Sequence, residues 1–133
     1  MLLRYDGRTL VLFNRSQENI NIRNLVFVQQ TEEGEVEFEV TEWGERGTGN
    51  LRVMRPGECY QAWSISWVDL PASEPPADIC VVRQGFIQTP RAFWIGLPDA
   101  TFEVRRGAHV LAVCPTAEED IEIELRCVVD VRP

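Results

Sequence analysis

The sequence predicts an all-β protein that folds as a β-sandwich or a barrel. Apolar and polar residues alternate with period two along most of the chain, and no window carries an apolar stripe at helical spacing for three turns. About nine short, mainly antiparallel strands, with turn signals roughly every 8 to 12 residues, are typical of such folds. Because 133 residues with 44% hydrophobic content can bury one core, we predict a single β-sandwich domain over residues 1–133.

The first part of the chain predicts three strands. Residues 9–14 form a compact apolar strand that ends in a polar turn, and residues 20–29 form the next strand. Val36, Phe38 and Val40 then alternate with three glutamates, which places one face on a core and a row of carboxylates in water. We interpret this row as a solvated face or as protection against strand pairing, because it lacks the carbonyl-rich loop of a calcium site.

The strongest strand signal is a tryptophan-rich segment at residues 59–67. It follows, in order, a glycine-rich loop at 44–50, a short strand at 51–54 and a turn at 55–58. Trp63, Ile65 and Trp67 share one face, and small residues occupy the other. These aromatic side chains could stack on sugars, but their large apolar area favours burial. We therefore predict that Trp63 packs at the centre between two sheets.

The rest of the chain predicts five more short strands, at residues 79–83, 92–95, 101–106, 109–114 and 121–129. The third and fourth of these flank Gly107 and Ala108, a two-residue loop whose first glycine suits a type II′ turn. The hairpin register that follows pairs Arg106 with His109, Val104 with Leu111, and Phe102 with Val113.

The four cysteines contain no CxxC pair, so zinc binding is the weaker interpretation. Cys59 and Cys80 stand at the two ends of a proline-rich loop, and a bridge between them would contribute about 3 kcal/mol in the chain-entropy model. A simple hairpin would leave Cys127 roughly 20 Å from Cys114. We therefore expect these two cysteines to be harder to join, with buried free thiols as the alternative.

The predicted bridge implies an oxidising, extracytoplasmic setting. The first residues lack the basic start and the apolar stretch of a signal peptide. We therefore interpret the chain as a domain excised from a longer protein of the cell envelope or a secreted protein. A free-standing cytoplasmic protein is the alternative.

Charge and residue content argue against several classes of function. A formal net charge of −8 would repel nucleic acid, and the apolar runs are far shorter than the roughly 18 residues that a membrane span needs. All thirteen basic residues are arginine, which removes lysine chemistry. The single histidine, His109, is predicted at an exposed hairpin tip without a water-excluding cleft. We therefore predict no catalytic residue, no cofactor and no metal site.

A glycosylation sequon is present at Asn14, Arg15 and Ser16. So short a pattern often arises by chance, and we assign no function to it.

Several segments resemble one family of sandwich domains. Residues 10–16 and 20–27, the Pro-Gly turn within 54–63, and the late hairpin at 102–107 resemble the lamin-tail type of immunoglobulin-like sandwich. The chain is also similar to the cysteine-containing sandwich tails that bacterial envelope proteins carry outside the cytoplasm. This resemblance covers about a third of the chain and implies a binding or spacer module without catalytic residues.

The leading functional hypothesis is a non-catalytic module that contacts a protein partner or neighbouring domains at the cell envelope. The runner-up is a carbohydrate-binding module, in which Trp43 and Trp94 would contact a glycan because they flank loops. A small hydrolase that uses His109 is a distant third.

Overall fold

The fold is given by a computed structural model that describes residues 1–7, 9–40, 53–64, 82–89, 93–97, 99–117 and 124–131, with backbone alone at 63–64 and 82–89. These residues form strands and no α-helix, which confirms the all-β prediction. The strands are β1 (Leu2–Tyr5), β2 (Thr9–Phe13), β3 (Ile20–Asn21), β4 (Leu25–Thr31), β5 (Gly34–Glu39), β6 (Val53–Met54), β7 (Glu58–Ser64), β8 (Val82–Thr89), β9 (Thr101–Arg106), β10 (His109–Pro115) and β11 (Leu125–Val128).

Two sheets make up most of the described structure. The larger sheet has the order β11-β1-β2-β7-β8, and the smaller has the order β10-β9-β4-β5. Strands β3 and β6 form a separate two-stranded ribbon. Neighbouring strands run antiparallel except β7 and β8, which are parallel.

One hydrophobic core joins the inner faces of these two sheets. The larger sheet contributes Leu3, Tyr5, Leu10, Leu12, Tyr60 and Ala62, and the smaller sheet contributes Leu25, Phe27, Phe102, Val104 and Cys114. Within the core, the rings of Trp94 and Phe102 stack with centroids 5.3 Å apart, and Tyr5 lies 5.0 Å from Trp94. The Tyr5 hydroxyl donates a 2.5 Å hydrogen bond to the carbonyl of Pro115, which ties β1 to the end of β10.

Three strand predictions need correction. Strand β1 was not predicted, because four residues without alternation give no period-two signal, yet β1 pairs with both β11 and β2. The segment predicted as one strand at 20–29 is split into β3 and β4 by a turn, in which the Leu25 amide donates to the Ile22 carbonyl. The described part of the segment predicted as a strand at 92–95 does not pair with another strand. Instead, the Gln29 side chain donates a hydrogen bond to the Ile95 carbonyl and accepts one from the Ile95 amide.

The β9–β10 hairpin has the predicted turn but a different register. A type II′ turn requires a positive φ at its first central residue and a negative φ at its second. Gly107 has φ +60°, and Ala108 does not have a positive φ. Arg106 pairs with His109 as predicted, but a β-bulge between Val110 and Ala112 shifts the rest of the ladder. Val104 therefore opposes Ala112, and Phe102 opposes Cys114. Since one extra residue reverses the side-chain alternation, the bulge turns Cys114 toward the core.

Strand β7 turns a different face to the core from the one predicted. The core between the sheets contains Tyr60 and Ala62, although Ala62 is one of the small residues predicted on the face opposite Trp63. On the opposite face, Cys59 and Gln61 are buried as well. Because both faces of this strand are buried, apolar alternation alone could not distinguish the inner one. The backbone at Trp63 pairs with Thr9, and its side chain lies outside the described residues.

The structure joins Cys114 and Cys127, contrary to the prediction that they would be difficult to bridge. Their Cα atoms are 5.8 Å apart. The predicted hairpin geometry was wrong because β11 does not return beside β10; it pairs with β1 at the edge of the other sheet. The disulfide therefore connects one edge of each sheet.

The second cysteine pair is only partly described. Cys59 is fully buried and disulfide-bonded, but its predicted partner Cys80 lies outside the described residues. The Cys59–Cys80 bridge therefore stays a prediction.

Candidate interaction surface

Of the two tryptophans predicted as glycan contacts, the structure describes only Trp94. Trp94 is only 1% exposed, and its indole nitrogen donates a 2.8 Å hydrogen bond to the Ala117 carbonyl. Its ring is packed between Phe102 and Tyr5, so this position does not support ligand contact. Trp43 lies outside the described residues.

The single histidine occupies the position that the sequence predicts. His109 begins β10, pairs with Arg106 beside the turn and is exposed. Within the described ranges, no group of three or more histidine, cysteine or acidic side chains is placed to hold a metal ion. The described part of the chain also contains no helix long and apolar enough to cross a membrane.

The sequon asparagine is a buried structural residue. The side-chain nitrogen of Asn14 donates to the carbonyls of Glu18 and Met54, at 2.8 and 2.9 Å. Its side-chain oxygen accepts from the backbone nitrogen and the hydroxyl of Ser16, at 3.0 and 2.6 Å. Asn14 is 0% exposed, so its amide is not accessible to glycosylation in the folded protein.

The outer faces of the two sheets differ in exposure. On the larger sheet, the outer positions Val11, Cys59 and Gln61 of β2 and β7 are at most 2% exposed, and Val128 at the β11 edge is 57% exposed. On the smaller sheet, Val110 and Val113 of β10 are 51% and 59% exposed. In the described structure, two neighbouring exposed valines therefore lie on the outer face of the four-stranded sheet.

The strand register orders the outer face of the four-stranded sheet into stripes. One row across the sheet consists of Glu39, Val26, Arg105 and Val110, and the next consists of Glu37, Val28, Glu103 and Val113. Carboxylates therefore follow β5, valines follow β4 and β10, and charged residues of both signs follow β9.

Arg105 neutralises part of this acidic face. Its Nε lies 2.6 Å from a carboxylate oxygen of Glu103, and its Nη1 lies 3.2 Å from one of Glu35. Glu35 lies on β5, so this ion pair spans β4, whose outer-facing Val28 is only 3% exposed. The hydrogen bond to Glu103 is the main cause that raises the pKa of Arg105 above its ordinary value, and Glu35 adds to it.

Strand β5 forms the edge of this sheet and carries the predicted glutamate row. Glu35, Glu37 and Glu39 are exposed, which confirms that the row is a solvated face on an edge strand. In the described structure, Glu37 and Glu39 form no ion pair or hydrogen bond through their side chains. Within the described ranges, the acidic edge therefore carries two carboxylates without an ion-pair partner.

A shallow groove lies where β4 begins and β5 ends. It has a volume of about 400 Å³ and is lined by Arg23, Asn24, Leu25, Val26 and Glu39. The groove continues the valine stripe of β4 to the end of the acidic edge.

No known family matches the chain, and no curated protein matches it.

Proposed function

We propose that this protein is a non-catalytic β-sandwich module that contacts a protein partner, or a neighbouring domain of a longer protein, through its four-stranded sheet. The observation that carries the proposal is the pair of exposed valines on β10. On the larger sheet the outer positions of β2 and β7 are buried and Val128 is exposed at the β11 edge, whereas the four-stranded sheet exposes both Val110 and Val113 beside charged residues. Adjacent exposed apolar side chains with a polar rim are typical of interaction surfaces.

We further propose that the module acts outside the cytoplasm, at the cell envelope. The Cys114–Cys127 disulfide supports this location because disulfides persist mainly in oxidising compartments. The segments similar to lamin-tail domains support the same location and role.

Photo-crosslinking tests this function in the cells that produce the protein. A photoreactive amino acid is placed at Val113 or at Gln30 on the four-stranded sheet, and at Val53 as the control. Val53 is a suitable control because it is also an exposed valine, 44% exposed, but belongs to the β3–β6 ribbon. We expect a discrete protein adduct from the sheet positions and none from Val53.

The partner is then purified and its binding to the isolated domain is measured. We expect the variant Val110→Ser/Val113→Ser to bind more weakly than the wild type if the adduct comes from Val113. The proposal is wrong if positions 113 and 30 give no adduct, or if they give the same adducts as position 53.

A further inference from the structure

We propose that β5 binds an extended basic segment of a protein partner, which adds as a fifth strand to the edge of the four-stranded sheet. This inference rests on the proposed function and names the edge, the binding mode and the chemistry of the partner.

The first support is the backbone of β5. Its six residues pair with β4 in a continuous register from Glu39 to Gly34, without a bulge. In the described structure no strand pairs with its other side, and the side-chain hydrogen bonds to β5 come from Gln30 and Thr31 of the neighbouring β4 and from Arg105 of β9. An unbulged edge strand presents a row of unpaired amide and carbonyl groups, which is the template for strand addition.

The opposite edge of the same sheet is less suitable. Strand β10 is interrupted by its bulge, and the disulfide at Cys114 ties it to β11. The Cys127 sulfur also lies 3.7 Å from the carbonyl oxygen of Val113 in β10. Both bulges and covering contacts reduce strand addition at an edge.

The second support is the two-sided chemistry of β5. On the outer face, Glu37 and Glu39 have no ion-pair partner among the described residues, and alternate side chains on a strand stand about 7 Å apart. On the inner face, Val36 and Phe38 are only partly buried, and Phe38 packs against the core. An added strand would place one set of side chains beside the carboxylates and the other set beside this open side of the core.

These two faces specify the sequence of the partner. Opposite charges directly across two strands are stabilising, whereas like charges are destabilising. The glutamate row therefore disfavours a second copy of β5 and favours lysine or arginine at alternate positions. Apolar residues at the intervening positions would cover Val36 and Phe38. The segment that fits is thus an extended strand of alternating basic and apolar residues.

Fluorescence anisotropy with labelled octapeptides tests this proposal on the intact chain. The probe is an amidated peptide of alternating lysine and valine. Two control peptides are used. The first alternates glutamate and valine and so reverses the charge. The second is the lysine–valine peptide with its two central amide nitrogens methylated, which prevents strand pairing there. We expect the first peptide to bind and the other two to bind at least about tenfold more weakly.

Matched charge variants locate the site. Glu37→Gln/Glu39→Gln should weaken binding of the lysine–valine peptide about tenfold, the combined effect of two exposed charge pairs. The control Glu32→Gln/Glu33→Gln removes the same charge from the exposed β4–β5 turn and should change binding by less than about twofold. Equal loss in both variants, or undiminished binding of the methylated peptide, would show general attraction by the acidic chain and overturn the proposal.

The outcome also separates this inference from the proposed function. If the lysine–valine peptide does not bind but Val113 or Gln30 cross-links a partner, strand addition at β5 is wrong and the proposed function stands. If neither the peptide nor a cross-linked partner is found, both are wrong.

Discussion

Asn14 joins three chain segments through one buried side-chain amide. It satisfies the carbonyls of Glu18 and Met54 and accepts hydrogen bonds from Ser16. Its own backbone also pairs with Glu58 and Gly57, so the residue fixes the turn after β2 against the start of β7. We expect Asn14→Ala to lower the free energy of unfolding by about 3 kcal/mol, because buried carbonyls lose their donors. Urea denaturation of the purified variant measures this loss.

The control for this prediction is Asn19→Ala in the same turn. Asn19 is exposed, and its replacement should change the free energy of unfolding by less than about 0.5 kcal/mol. Equal stability of the two variants would show that the hydrogen bonds of Asn14 do not stabilise the turn.

At the scale of elements, the disulfide attaches the edge strand β11 to β10 of the opposite sheet. Cys114 and Cys127 are 13 residues apart in sequence. Replacing both by alanine should lower the free energy of unfolding by about 3 kcal/mol, the value expected for a loop of this length in the chain-entropy model. Hydrogen–deuterium exchange should accelerate first at the amides of β11, while the central strand β4 should keep its protection.

The exposed neighbour Val128 provides the control for this element. Val128→Ala leaves the disulfide intact and should alter neither the stability nor the exchange of β11 by a measurable amount. If the double alanine variant exchanges like Val128→Ala, the bridge does not hold β11 in place.

At the scale of the whole molecule, both tyrosines of the chain are buried in the core that joins the two sheets. Burial raises the pKa of Tyr5 well above its ordinary value, and it raises the pKa of Tyr60 to about 12, with a further contribution from Glu58. Unfolded tyrosine ionises near pH 10. Stability is therefore fully present below about pH 10 and is lost as the pH rises above that value, because only the unfolded chain releases the protons readily.

We accordingly expect tyrosinate absorbance to stay low until about pH 11 and then to rise together with the loss of the β-sheet circular dichroism signal. Tyr5→Phe removes one of these protons. Above about pH 10, the free energy of unfolding of this variant should therefore fall less steeply with pH than that of the wild type. Tyrosinate absorbance that increases near pH 10 while the circular dichroism signal is unchanged would contradict the burial of both side chains.

The sequence by itself determined the features that depend on local chemistry. Alternating apolar and polar residues determine that the chain forms strands, Gly107 determines the type II′ turn, and alternate glutamates mark β5 as a strand with one solvated face. Each of these follows from the steric and solvation preferences of neighbouring residues, so no distant contact is needed to predict it.

Only the tertiary structure decided which distant elements meet. The partner of β11 is β1 rather than β10, the bulge in β10 turns Cys114 inward, and Trp94 lies in the core rather than at the surface. The inner face of β7 likewise depends on which sheet covers it, because both of its faces are buried. The glutamate row was visible in the sequence, but its position on an edge strand depends on the strand order. Strand order and register are set by packing between residues far apart in the chain. A period-two pattern does not reveal them, because the pattern is the same for every strand arrangement that buries the same face.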